Sequence, residues 1–211
     1  MIISISNLKN ILTTIQYWRI LFVNNLEVMK MKQAVIVVDM LNDFITGALK
    51  CDRGVAIVPQ TVKLVDGARK AGIPVIFTND AHVETVDHEL KHWGVHAMAG
   101  TTGATVIPEL NVGKKDYVIT KRRFSAFFHT DLDLLLRELG VDTLVICGLQ
   151  THICVQHTVA DAYYLGYDVI VPKDATDCFT QEIYDYTIKY LADIYGAEIS
   201  DVNALLKSWK K

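Results

Sequence analysis

The stretch Gln33-Ala-Val-Ile-Val-Val-Asp39 decides the fold. Its β-branched apolar run lacks the polar alternation of a half-exposed strand. It therefore reads as a strand covered on both faces, as in a parallel sheet. Outward from it, similar short runs alternate with amphipathic stretches. The predicted strands are Ala34–Asp39, Pro74–Asn79, Tyr117–Thr120, Thr143–Cys147, Asp168–Val171 and the more weakly patterned Ala197–Ser200. Helices are predicted near Val58–Ala71, Asp131–Leu139, Thr151–Leu165 and Gln181–Tyr195. Ala71-Gly-Ile-Pro, Leu139-Gly-Val-Asp and Leu165-Gly-Tyr-Asp share one grammar: a glycine able to take the left-handed cap, then entry into a strand. The alternation predicts one α/β domain with helices on both faces of the sheet.

Composition narrows the class further. The chain has 211 residues, 51% hydrophobic and 21% charged, with only 12 Gly and 4 Pro, which excludes a disordered or collagen-like chain. Lys plus Arg number 21 against 24 Asp plus Glu, a net charge of 21 − 24 = −3. That leaves no basic excess for nucleic acid. Cys51, Cys147, Cys154 and Cys178 form no CxxC pair, so neither a disulfide scaffold nor a zinc knuckle is expected and a reducing cytoplasm is the default. Residues 1–31 are apolar but interrupted by Lys9, Asn10, Gln16 and Arg19, so they read as neither a membrane span nor a signal peptide. They are read as a leader before a domain over residues 32–211, with translation expected to start at Met29 or Met31. A peripheral helix or a membrane-associating segment is the alternative.

In an open α/β sheet, ligands bind outside the carboxyl ends of the strands. Those ends carry Asp39, the run Asn79-Asp80-Ala-His82, Lys121, and Gly148-Leu-Gln-Thr-His-Ile-Cys154. No GxGxxG or GxxxxGK[ST] fingerprint occurs, and Gly100-Thr-Thr-Gly103 reads as a turn. Cys154 falls in the first turn of a predicted helix, where free N–H groups and the helix dipole favour a thiolate. Those N–H groups, especially of Cys154 and Gln150, are suited to a developing oxyanion. Asp39 ends a hydrophobic strand and needs a partner if buried, and Lys121 is the candidate. A thiol beside both has a base for its proton and a cation for the charge. The plainer alternatives are a buried structural thiol and an Asp–Lys pair that merely closes the strand ends. A rival base is His157, three residues after Cys154.

Asp80-Ala-His82, followed by His88 and by Trp93-Gly-Val-His96, supplies side chains suited to a catalytic divalent metal with open positions. A solvated loop is the alternative. Of Lys121-Arg-Arg123, two charges are expected to face solvent. Tyr163, Tyr164, Tyr184, Tyr186 and Tyr190 suggest packing or a subunit contact, and a homo-oligomer is expected.

Val37-Val-Asp39-Met-Leu-Asn-Asp43-Phe44, Thr120-Lys121 followed by Phe124-Ser-Ala-Phe127, and Gly148-Leu-Gln-Thr-His-Ile-Cys154-Val together resemble the isochorismatase-like cysteine hydrolases, among which nicotinamidases fit best. The resemblance spans residues 33–200 and implies a doubly wound six-stranded parallel sheet. It assigns Cys154 as nucleophile, Asp39 as general base and then acid, Lys121 as orienting cation, Gln150 and Cys154 as the oxyanion hole, and a cis peptide at Leu149–Gln150. It further implies a divalent metal, zinc first and iron or manganese as alternatives. Asp80, His82 and His96 would hold it, with His88 as a further ligand in some members. That metal would grip the ring nitrogen of a pyridine carboxamide between Phe44 and Trp93. The implied activity is nicotinamide hydrolysis through a thioester, acting on a small amide with no nucleic-acid or membrane partner. The alternatives are an N-carbamoyl or ureido amidase, a vinyl-ether hydrolase, or a non-catalytic module on the same scaffold.

Overall fold

The computed structural model describes residues 32–210. The expectations for the leader lie outside the described residues. Six strands form one parallel sheet: β1 Gln33–Val38, β2 Val75–Asp80, β3 Tyr117–Lys121, β4 Thr143–Gly148, β5 Asp168–Pro172 and β6 Glu198–Ser200. Their order is β3-β2-β1-β4-β5-β6, so the winding reverses between β1 and β4. The helices are α1 Asn42–Ile45, α2 Asp52–Ala71, α3 Leu90–Trp93, α4 Leu132–Leu139, α5 Gln156–Tyr164, α6 Gln181–Tyr195 and α7 Val202–Ser208, with a π-helical turn at Thr151–Val155 before α5.

The unbroken apolar run of β1 has the expected consequence. Val35 and Val37 point into one core layer with Leu64, Val65 and Leu205, from α2 and α7. Ala34, Ile36 and Val38 point into the other, with Leu136, Val159 and Leu191 from α4, α5 and α6. Both faces are covered, as a doubly wound sheet requires. Gly72, Gly140 and Gly166 end their helices at φ 70°, 66° and 81°, the left-handed caps that the repeated grammar implies. Among the described residues, no helix is long and apolar enough to cross a membrane.

The starts of two predicted helices differ from the sequence reading by more than one residue. Helix α2 starts at Asp52, not near Val58, and carries the exposed Pro59 inside it. Its buried face, Gly54-Ile57-Thr61-Leu64-Val65-Ala68, keeps helical spacing through the proline, so packing overrides the breaker. The element before α5 is a π turn because Val155 N–H reaches back five residues to the Gln150 carbonyl and Gln156 N–H to that of Thr151.

Register sets the strand ends side by side. Val38 pairs with Thr78 and with Gly148, and Asp80 pairs with Lys121. Gly148 lies at φ 105°, and a Cβ there would sit 2.0 Å from the Val38 carbonyl oxygen. Gly148→Ala is therefore expected to cost about 3 kcal/mol or more of stability, through strain and loss of the close β1–β4 approach. Urea unfolding measures it. A loss below about 1 kcal/mol would show that the strand ends relax freely.

Candidate active site

At the carboxyl edge of the sheet the chain leaves β1 through Asp39, which sits at φ 51° in the left-handed region that Asp tolerates better than most residues. The turn drops its carboxylate under the strand ends. Oδ1 accepts the Asp80 N–H at 2.8 Å. Oδ2 lies 2.7 Å from Lys121 Nζ, an ion-pair contact that leaves this oxygen a further lone pair for a proton. Lys121 Nζ donates to Asp80 Oδ1 at 2.6 Å. None of the three residues exceeds 2% exposure. Cys154, in the π turn, places Sγ within 4.8 Å of a carboxylate oxygen of both Asp39 and Asp80.

Two buried carboxylates share one ammonium, and the charges respond accordingly. Burial, then the neighbouring Asp80, pushes Asp39 up to about 7, against the pull of Lys121. Burial would also raise Asp80, but Lys121 and His82 hold it below the ordinary range. Lys121 stays well above its usual value despite burial, because Asp39 and Asp80 face it. For Cys154 the outcome departs from the helix-dipole expectation. Burial pushes the thiol well above its ordinary value, Lys121 opposes, and Asp39 and Asp80 add to the rise. The group rests as a thiol and needs a base.

The loop before Cys154 is tied down on every side but one. Leu149–Gln150 is a cis peptide. Thr151 N–H donates to the Asp177 carbonyl at 3.0 Å, and Gly148 N–H to that of Ala175 at 2.9 Å. Thr176 Oγ1 donates to the Gly148 carbonyl at 2.9 Å, and Arg53 Nε holds the Asp177 carboxylate at 2.8 Å. The Gln150 N–H has no backbone acceptor among the described residues. An N–H left over in so closed a loop is suited to an external oxygen.

Beside the thiol, ligand atoms of Asp80, His82 and His96 lie within 4.8 Å of one another, all three residues buried. His82 Nδ1 is 3.3 Å from Asp87 Oδ2, and Asp87 is gripped by Val83 N–H at 2.7 Å and Arg122 Nε at 2.9 Å. His96 Nδ1 is 2.8 Å from the Gly94 carbonyl. Each ring thus has its second nitrogen fixed from outside, the arrangement metal-binding imidazoles favour. His82 Nε2 is buried without a partner. That orphaned nitrogen and the N,N,O donor set fit a divalent cation.

His88 is not brought to this cluster. The entry to α3 turns Asp87 and Glu89 inward and leaves His88 exposed in an outer groove. Glu89 takes the place expected for it, with Oε2 3.9 Å from His82 Nε2. His157 is also exposed, with Nδ1 2.7 Å from the Ile153 carbonyl and its ring 5.4 Å from that of Phe124, so it does not stand by Cys154 as a base. Arg122 and Arg123 are half-exposed but both approach Asp87, so they are not free charges.

Cys154, Asp39, Asp80 and His96 line one cavity of about 370 Å³. Phe44 and Trp93 line it as the resemblance implies, and Phe124, Leu149, Ile153 and Phe179 complete an apolar wall. Phe44 lies 5.8 Å from the His96 ring, and Phe179 lies 6.3 Å from Trp93 and 5.1 Å from His152. Phe179 went unread in the sequence. The available signal was its position in the loop leaving β5, one more strand end on the ligand side of the sheet.

The fold is shared with known proteins. N-carbamoylsarcosine amidase from Thermoplasma acidophilum is 39% identical, covers 82% of this chain and 98% of its own, and superposes with a TM-score of 0.78. Nicotinamidase PncA from Bacillus subtilis is 31% identical over 81% of this chain and 100% of its own, at a TM-score of 0.75. A Pyrococcus horikoshii pyrazinamidase, solved in complex with zinc, is 28% identical over 81% of this chain and 99% of its own, also at 0.75. The Isochorismatase domain matches residues 33–204, and with a six-stranded parallel sheet in that order the chain belongs to the isochorismatase-like hydrolase family.

Proposed function

We propose that residues 32–211 form a cysteine amidase that hydrolyses nicotinamide to nicotinate and ammonia. The observation that carries this reading is the Asp80–His82–His96 cluster, of which Asp80 and His96 line the same aromatic cavity as Cys154. A divalent metal, zinc by preference, held by Asp80, His82 and His96 with Glu89 nearby, would supply a coordination position for the pyridine nitrogen and so fix the ring between Phe44 and Trp93.

The chain's own groups carry the reaction. Cys154 Sγ attacks the amide carbon as its proton passes to Asp39, whose Oδ2 has capacity to receive it. The carbonyl oxygen takes up negative charge against the N–H groups of Gln150 and Cys154. Asp39 returns the proton to the leaving nitrogen, ammonia departs and a thioester remains. Asp39 then draws a proton from water as the water oxygen attacks the thioester carbon, passes that proton to the departing Cys154 sulfur, and the acid so formed ionises to nicotinate on release. Throughout, Lys121 holds Asp39 in place and offsets the charge of two buried carboxylates.

A second reading, hydrolysis of an N-carbamoyl amino acid, draws on the 39% identity to the Thermoplasma enzyme. Such substrates bring a carboxylate, which needs a cation in the cavity. Lys121 is already paired with Asp39 and Asp80, and Lys50, at the mouth, lies 2.9 Å from Asp52. An apolar wall without an unpaired cation among the described residues favours a neutral ring. Ammonia release from nicotinamide, measured beside N-carbamoylsarcosine, separates the two. A higher kcat/KM for the carbamoyl compound would move the assignment to the second reading.

Cys154→Ala should reduce nicotinamide turnover at least a hundredfold while the protein stays folded, since base catalysis by the remaining groups supplies only about 10²–10⁴. Retention of more than about a hundredth of the activity would contradict a covalent route. Cys147 is a fully buried strand residue whose thiol burial alone pushes up to about 12. Cys147→Ala should leave turnover intact and cost on the order of 1 kcal/mol of stability.

His96→Ala should lower the metal content per chain and cut nicotinamide turnover by roughly 10²-fold or more through lost alignment. Alkylation of Cys154 by iodoacetamide should persist, because Asp39 and Lys121 remain in place. Equal loss of turnover and alkylation would mean that His96 supports the thiol site itself. Full turnover in metal-free protein would remove the metal from the reaction.

A further inference from the structure

Asp87 is the one buried residue between His82 and His88, and the proposed reaction makes no use of it. Val83 to Val86 are exposed, while the Asp87 side chain is wholly buried. The turn that brings it inward is closed twice. Asp87 N–H donates to the Val83 carbonyl at 3.1 Å, and Val83 N–H donates to Asp87 Oδ2 at 2.7 Å. The second bond carries the carboxylate back beside His82, where Oδ2 lies 3.3 Å from His82 Nδ1. From the other side Arg122 Nε donates to Oδ1 at 2.9 Å and to Oδ2 at 3.1 Å, and Arg123 Nη1 stands 3.5 Å from Oδ1. Burying a carboxylate is costly, and the backbone bond alone would close the turn. The carboxylate is accounted for by the ring it faces.

The far nitrogen of that ring, His82 Nε2, faces Asp80 Oδ2 at 3.7 Å and Glu89 Oε2 at 3.9 Å, within the Asp80–His82–His96 cluster. A carboxylate held by a guanidinium only accepts, so it draws the ring hydrogen to Nδ1 and leaves the lone pair on Nε2, toward the cluster. It also fixes the plane of the ring. His96 differs, because its Nδ1 meets the neutral Gly94 carbonyl at 2.8 Å. The two imidazoles thus have unequal outer partners, one anionic and one neutral. A negative acceptor strengthens an imidazole as a donor to a cation, and the half-exposed Arg122 tempers that charge. We propose that Asp87 is the positioning residue of the metal site, holding His82 in the tautomer and orientation that bind a divalent cation, while Arg122 moderates its charge. This rests on the metal-dependent reading above and assigns the pair that sets its metal affinity.

Zinc binding tests this without any substrate: the full-length protein is stripped with a chelator and titrated with zinc alone. A partly unfolded preparation lowers the stoichiometry and not the affinity, so the two are read separately. Asp87→Asn keeps the size of the side chain and an oxygen for Val83 N–H but offers His82 only a neutral acceptor. Its zinc Kd should rise about 10–100-fold, the loss typical when the group behind a ligating histidine is removed. Arg122→Gln removes a positive charge near the cation and leaves the carboxylate on Val83 and His82. Its zinc affinity should hold or rise by about two- to fivefold, the size of a half-exposed charge effect. A pair that only braced the turn would weaken zinc binding from either side. A fall of more than about threefold in Arg122→Gln therefore overturns the proposal, and that variant decides alone where Asp87→Asn does not fold. A zinc Kd within about threefold of the parent in folded Asp87→Asn overturns the role of Asp87 and leaves the metal site standing. A parent protein that takes up no zinc overturns the metal-dependent reading and the proposal together.

Discussion

Two carboxylates and one ammonium buried at the carboxyl edge of a parallel sheet are the constraint on which the site depends. Lys121 lies 2.7 Å from Asp39 and 2.6 Å from Asp80, with its side chain wholly buried. Replacing such a cluster with apolar residues is often neutral or stabilising, so it is poorly explained as a device for holding the fold together. What it does accomplish is to keep a carboxylate in a dry pocket beside a thiol. One cation cannot fully satisfy two anions, and the deficit falls on Asp39, whose proton affinity rises toward neutrality. Asp80 takes the better share of the lysine and remains an anion. Two chemically identical side chains thereby acquire different properties through position alone.

Position, in turn, is set by backbone features at the ends of β1 and β4. The left-handed turn at Asp39 and the close approach of Gly148 to the Val38 carbonyl sit on adjacent strands at the point where the winding reverses. Chains leaving there diverge to opposite faces, which opens the crevice. The loop from Gly148 to Thr151 is then fixed by Thr176, Ala175 and Asp177 from the neighbouring loop. Scaffold rigidity is thus transmitted to the two residues, Gln150 and Cys154, whose placement the proposed chemistry requires.

Sequence alone reached the parts of this arrangement that depend on runs and endings. The apolar strands, the glycine helix exits, and the carboxylate and lysine at strand ends are properties of short segments, and short segments were enough to place them. The motif resemblance then linked Asp39, Lys121 and Cys154, which are distant in the chain. The rest was illegible because it depends on orientation or on packing between elements. His88 and Glu89 are adjacent, and only the course of the chain into α3 decides that the carboxylate turns inward. The course of α2 through Pro59 depends on the burial of its face from Gly54 to Ala68, which is a matter of packing between elements. The thiol of Cys154 was expected to favour ionisation from its place near a helix start, yet burial and two nearby carboxylates outweigh that. Local sequence gives no measure of desolvation.

Asp80 links the two halves of the site. Its Oδ1 accepts from Lys121 at 2.6 Å, and its Oδ2 lies 3.7 Å from His82 Nε2. Each oxygen therefore faces a different neighbour, Lys121 on one side and the histidine cluster on the other. Its backbone N–H meanwhile holds Asp39 at 2.8 Å. A single residue at the end of β2 thus fixes the distance between the group that would orient a ring and the groups that would activate the thiol. Misplacement by even 1 Å can cost orders of magnitude in rate, so mounting both on one strand end is an economical way to preserve the spacing. Cation binding at the cluster would withdraw charge from Asp80 and weaken its hold on Lys121. Asp39 would then gain a larger share of the ammonium and be held more firmly as an anion. Occupancy of the cluster by a cation would thus reach Asp39 through Asp80, even though the two groups sit on different strands.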